Sequence, residues 1–122
     1  TVYSTESDSV KFILYNRSGK IIHCGERHFI TYEDAGGVWR ELPINGNFVD
    51  IGYWVADDDY REFTAFLYPK VHSNPPGRYR FFYEVTVGDH REGARLKMMA
   101  EFRLSDNKKE LEQATKTPLP VF

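Results

Sequence analysis

The tightest group of reactive side chains in this 122-residue chain is His23-Cys24-x-x-x-His28. Imidazole and thiolate both bind zinc, but a zinc site needs about four N or S ligands in tetrahedral reach. On a strand His23 and Cys24 project to opposite faces, so they cannot share an ion without a bulge. The other histidines, His72 and His90, lie far along the chain in turn-rich stretches. As a nucleophile Cys24 would need a base in hydrogen-bond reach, an oxyanion hole and a lowered thiol pKa. No helix start stands nearby to lower that pKa, and Ile21 and Ile22 point to a buried, inert thiol. Asp57-Asp58-Asp59 offers hard oxygen ligands for calcium, yet the spaced acidic residues, glycine and distal glutamate of an EF-hand are missing. That run reads as a solvated turn, and Gly36-Gly37 as a hairpin tip, not a phosphate cradle. The expectation is a chain with no catalytic residues, no cofactor and no metal.

The aromatic residues carry more. They are 16% of the sequence, high enough that the core or a binding surface must use many rings. Trp39, Tyr53, Trp54, Tyr60, Tyr68 and Tyr83 exceed what one face of a small sheet needs. Flat exposed rings stack on sugars or anchor a protein partner, whereas buried ones simply fill a core. Trp39 is assigned to the core or its edge and Trp54 to the surface. Tyr53, Trp54 and Tyr60 are the candidate ligand-binding residues.

These residues must be positioned by strands. The strongest is Tyr79 to Val87, where Tyr79, Phe81, Tyr83, Val85 and Val87 share one face. Arg78, Arg80, Phe82, Glu84 and Thr86 take the other. Pro76-Gly77-x-Tyr79 at its entry has the chemistry of a tyrosine corner. The glycine tolerates an unusual backbone angle, and the tyrosine buries its ring while its hydroxyl bonds nearby backbone. Val10, Phe12 and Leu14 alternate in a strand over Ser9–Asn16, which ends in the turn Asn16-Arg17-Ser18-Gly19-Lys20. Glu26–Glu33 sets Phe29 and Thr31 opposite His28, Ile30 and Tyr32, and Asp34–Gly37 turns the chain into Val38–Leu42. Pro43 and Asn45-Gly46-Asn47 break that ladder before a short apolar segment from Phe48 to Val55. Phe63, Ala65 and Leu67 share a face of the next strand. Leu96, Met98, Ala100, Phe102 and Leu104 are expected to face inward from the last one. Arg61, Arg78 and Arg80 are expected to face solvent.

The pattern predicts an all-β immunoglobulin-like antiparallel sandwich of seven or eight strands with Greek-key connections. Residues 1–104 would form this domain, residues 1–8 contributing an edge strand or a loose lead-in. Residues 105–122 would be a tail or linker outside the core. Within it Ser105-Asp106-Asn107 could cap a helical turn reaching Gln113. Thr115–Phe122, with Pro118 and Pro120, cannot be regular helix.

Sixteen basic against eighteen acidic residues leave a net charge of −2, which argues against nucleic acid or anionic lipid as a partner. No apolar run approaches the roughly 20 residues needed to span a bilayer. The single cysteine rules out a disulfide-stapled scaffold. The start at Thr1-Val2-Tyr3, without methionine, fits a mature or trimmed form whose export signal or lipid-anchor cysteine lies outside this chain.

An ordered set of short motifs completes the picture. It runs Phe12-x-Leu14-x-Asn16-x-Ser18, Gly25-Glu26-x-x-Phe29-Ile30, Trp39-x-x-Leu42-Pro43, then Phe48-x-Asp50-Ile51-Gly52-Tyr53, Pro76-Gly77-x-Tyr79-Arg80 and Ala100-Glu101-Phe102-x-Leu104. Over residues 9–104 it resembles the bacterial immunoglobulin-like domains of small exported proteins and lipoproteins from Gram-positive and Bacteroides-type organisms. The resemblance implies a sandwich outside the cytoplasm with no catalytic residues to carry over. The chain departs from antibody-type domains in lacking the cysteine pair between the sheets. The expected function is an interaction or structural module of the cell envelope. Its partner would be a protein or polysaccharide, with membrane contact only through a lipid anchor outside the chain. The alternative is a carbohydrate-binding module using rings near Tyr53, Trp54 and Tyr60.

Overall fold

The computed structural model describes residues 2–44, 48, 51–89, 91–112 and 118–122. Thr1, the Asn45-Gly46-Asn47 cluster, Asp50, His90, Gln113 and Thr115 lie outside the described residues.

Two sheets pack face to face. The chain forms β1 (Val2–Ser4), β2 (Ser9–Tyr15), β3 (Ile22–Cys24), β4 (His28–Glu33), β5 (Trp39–Glu41) and β6 (Tyr53–Val55). It continues through β7 (Tyr60–Phe66), β8 (Gly77–Val87), β9 (Ala94–Ser105), the short helix α1 (Lys108–Glu112) and β10 (Leu119–Pro120). The smaller sheet has the order β10-β2-β7. The larger is built around β8, which pairs with β9 along one edge and with β3 and β4 along the other. β1 extends it beyond β9 in parallel, while β6 pairs with β3 and β5 with β4. The described strands number ten, against seven or eight expected. Two pairs, β3/β4 and β5/β6, are single strands interrupted midway, and counting each once leaves eight.

The core forms where the inward residues of the two sheets meet. Phe12 of β2 stacks on Phe81 of β8 with ring centroids 3.9 Å apart, and Phe63 of β7 stacks on Tyr83 at 4.6 Å. Tyr79, Phe81, Tyr83 and Val85 are all buried, as the period-two pattern of β8 requires. At the entry of β8, Gly77 has φ of +142° and the Tyr79 hydroxyl donates to Pro75 O at 2.6 Å. This local link holds the loop against the strand. Burial raises the Tyr79 phenol pKa well above its usual range. Asn16 does similar work between loops. Wholly buried, its side-chain amide donates to Lys20 O and Val55 O, and its Oδ1 accepts from Ser18 N.

Four expectations need correction. First, the tail is part of the sandwich. Leu119 and Pro120 pair in parallel with Phe12 and Ile13, and Leu119 and Val121 are buried in the core. Val121 N donates to Ile13 O of the smaller sheet, while Phe122 exchanges two backbone hydrogen bonds with Met99 of the larger one. The last residues therefore tie the two sheets together along one side. Proline is tolerated there because β10 is an edge strand. The helical turn before it is present as α1, with Asn107 Oδ1 accepting from Lys109 N. Second, Leu96 is 49% exposed, because β1 covers only Arg103–Ser105 and leaves that end of β9 at the sheet edge.

The third and fourth corrections concern arginines. Arg61 has the same parity as Phe63 and Ala65, so it points inward at the mouth of the sandwich. Its guanidinium carbon lies 3.4 Å from the Tyr53 ring centroid. Arg80 does face outward, but Trp39 on β5 lies against it at 4.0 Å and leaves it half-buried. Arg78 is exposed, as expected, and bridges Glu101 at 2.7 Å and Glu33 at 3.3 Å. Trp39 thus sits at the sheet edge, outside the core.

Candidate functional site: a pocket made by two paired irregularities

The pairing registers locate a concavity. Against β8, His23 pairs with Thr86 and His28 with Tyr83. Five steps along β3/β4 thus match three along β8, so Gly25-Glu26-Arg27 contains a two-residue bulge. The neighbouring strand is also interrupted. Cys24 pairs with Tyr53 and Thr31 with Glu41, so seven steps on one side face twelve on the other. This second irregularity, the detour between Glu41 and Tyr53, adds five residues to the register. Bulge and detour lie side by side and open a cavity of about 600 Å³ on the outer face of the larger sheet.

The cavity has an apolar floor and a charged rim. Phe29 and Phe82 pair across β4 and β8, their rings stacked 4.8 Å apart at 18°. Leu42, Ile44, Phe48 and Ile51 line the side contributed by the detour. Glu26, Arg27, Glu41, Glu84 and Lys97 supply charges of both signs. The Lys97 ammonium lies 5.4 Å from the Phe29 centroid, so the floor already accommodates one cation over a ring.

The bulge is held from beneath. The buried Tyr83 hydroxyl donates to Gly25 O, a contact across 58 residues of chain. Burial raises the Tyr83 phenol pKa far above its usual value, and a hydrogen bond with Cys24 adds to the shift. Glu26 is fixed from the side by Arg61, with the charged atoms 3.8 Å apart. Its carboxylate also accepts from the Tyr53 hydroxyl, which raises that phenol's pKa. His28 Nδ1 donates to Glu26 O at 2.9 Å, and its ring lies 4.9 Å from Phe48 and 5.2 Å from Phe81. Burial pushes the His28 pKa below its ordinary value, against the smaller upward pull of Glu26.

The three candidate aromatic residues do not share one platform. Tyr53 and Trp54 are adjacent on β6 and face opposite ways. Tyr53 is half-buried beneath Arg61, whereas Trp54 is 75% exposed. Tyr60 belongs to the smaller sheet, where it pairs with Tyr15, their centroids 6.0 Å apart. Trp54 does stand on the pocket's face. It pairs with His23, which pairs with Thr86, and Thr86 shares the outward parity of Glu84 and Phe82.

Cys24 is buried, with Tyr83 as its polar neighbour. Among the described residues no three His, Cys, Asp or Glu side chains are placed to hold a metal. Asp57 accepts from Gly19 N and Asp59 from Tyr60 N, so both carboxylates serve the turns around them. Sequence reasoning missed the pocket, although a signal was present. Phe29 and Phe82 fall at outward parity on their strands, where a solvated face calls for polar residues. Two outward phenylalanines on strands that prove to be neighbours mark a face built for something other than water.

Two packed sheets switching partners around a tyrosine-cornered central strand define an immunoglobulin-like sandwich. The chain belongs to the bacterial Ig-like domain family, whose pattern it matches over residues 1–111. No curated protein and no solved structure was found to be similar to it.

Proposed function

We propose that this domain is a non-catalytic interaction module acting outside the cytoplasm, secreted, periplasmic or lipid-anchored at the cell surface, with the outer face of the larger sheet as its contact surface. The pocket carries this reading. An apolar floor ringed by charges of both signs has the anatomy of a protein-interaction hot spot, where a dry centre is shielded by a polar rim. Membership of the bacterial Ig-like family supports the location, and no helix among the described residues is long and apolar enough to cross a membrane. The test is site-specific photo-crosslinking in envelope fractions, with the reactive group at Ile51 in the pocket or at Thr64 on the opposite sheet. Crosslinks to polypeptide from Ile51 and none from Thr64 are expected. Equal yields from both faces, or none, overturn the assignment.

One observation favours a second reading, carbohydrate binding. Tyr15 and Tyr60 expose 50% and 57% of their surface as a ring pair on the smaller sheet, and Arg17 lies 5.8 Å from the Tyr15 ring. Exposed rings of this kind stack on sugars. A polysaccharide that binds only the native state raises the melting temperature with concentration. A saturable rise abolished by Tyr60→Ala would establish this reading, and a flat response to a glycan panel would remove it.

A further inference from the structure

We propose that the partner received by the pocket is a second copy of this chain, and that the two copies pair by each inserting Trp54 into the other's pocket. The inference rests on the reading of the pocket face as the contact surface and names its occupant. Among the described strands of the larger sheet, β6 carries the most exposed ring, Trp54 at 75%, which stands on the same outward face as the cavity. Its neighbour Val55 is buried, so the strand beneath it is anchored while the indole projects. A short step along the chain, Ile51 lines the cavity and is itself 46% exposed.

A two-fold contact requires one surface to be complementary to itself. This face meets that condition in shape, because it carries both a projecting ring and a recess. A two-fold axis lying in the interface, midway between Trp54 and the pocket, exchanges the two. It meets the condition in charge as well. The rim holds Glu26, Glu41 and Glu84 against Arg27 and Lys97, so each copy offers both signs to its image. A rim of one sign would repel its own copy. The floor suits an indole, since offset and edge-on ring contacts to Phe29 and Phe82 are favourable beyond the area they bury. Each inserted tryptophan would bury about 150–250 Å² of surface, placing two large apolar anchors at the centre of the contact.

The test is sedimentation velocity from micromolar to millimolar concentration with three proteins. The wild type should show a reversible monomer–dimer equilibrium. Trp54→Ala removes the ring, and Ile51→Arg places a charge in the recess. Both positions are exposed, so both variants should fold, and circular dichroism checks that they do. Each should raise the dimer dissociation constant by roughly 30-fold or more, the effect of losing an interface hot spot. An equimolar mixture is the sharpest measurement. The Trp54→Ala copy keeps its recess and the Ile51→Arg copy keeps its ring, so the mixture should associate more tightly than either variant alone. A wild type that stays monomeric overturns the proposal, as does a dimer indifferent to Trp54→Ala or a mixture no tighter than its parts. A monomer that still crosslinks from Ile51 to a different polypeptide removes the dimer and leaves the interaction reading standing. A monomer without crosslinks removes both.

Discussion

Tyr79 and Tyr83 sit four residues apart on the same inward face of β8, 1% and 2% exposed, and both hydroxyls donate to a main-chain carbonyl. Their uses differ. Tyr79 reaches Pro75, four residues back, and closes a local loop onto a regular ladder. Tyr83 reaches Gly25, 58 residues away, and holds an irregularity open. One tyrosine preserves the fold, while the other preserves the defect in pairing that makes the pocket. The same side chain with the same bond can serve stability or shape, depending on whether its acceptor lies within the ladder or in a bulge.

Ring removal is the strongest way to break this comparison. Tyr79→Ala and Tyr83→Ala should each cost about 3–5 kcal/mol, the usual loss for a buried aromatic. Urea denaturation should give two similar values, and a much smaller loss at Tyr83 would show that its end of β8 is loosely packed. Hydroxyl removal sharpens the contrast. Tyr79→Phe and Tyr83→Phe should each cost about 1–3 kcal/mol through the carbonyl left unpaired. Only Tyr83→Phe should move the amide resonances of Gly25–Phe29 and Ile51. Shifts at those positions in Tyr79→Phe as well would mean that the two anchors are not independent.

The smallest effect is a pH dependence confined to the pocket end. His28 pairs with Tyr83, and burial lowers its folded pKa from the ordinary value of 6.5. Between the folded value and 6.5 the unfolded chain binds more protons than the native one, so stability rises with pH there. It should fall as pH drops through 6.5 towards the folded value. His28→Gln should flatten that part of the stability profile, whereas Tyr79→Phe should shift the whole curve without changing its slope. A slope unchanged in His28→Gln would assign the pH dependence to another group.

The legibility of the molecule follows the range of its interactions. Residues 77–87 could be read directly, because period two on one strand assigns every face without knowledge of its neighbours. The corner is similar, since Pro75 and Tyr79 lie close in sequence. Arg61 departs from its solvent-facing expectation, although its parity with Phe63 and Ala65 points inward. The charge suggested solvent, but Tyr53 and Glu26 gave it partners at the sandwich mouth. The tail departs from expectation because Pro118 and Pro120 exclude helix but do not exclude an edge strand, and its partner β2 begins more than a hundred residues earlier.

The sequence by itself pointed to an all-β sandwich with a tyrosine corner at the entry of its strongest strand, and assigned Trp54 to the surface. Each of these rests on alternation, turn chemistry or spacing within a few residues. The tertiary structure decided where β3/β4 and β5/β6 lose register, that the two losses lie side by side, and that Trp54 shares their face. A bulge is a mismatch between two strands, so no single strand contains it. The pocket exists only in the pairing.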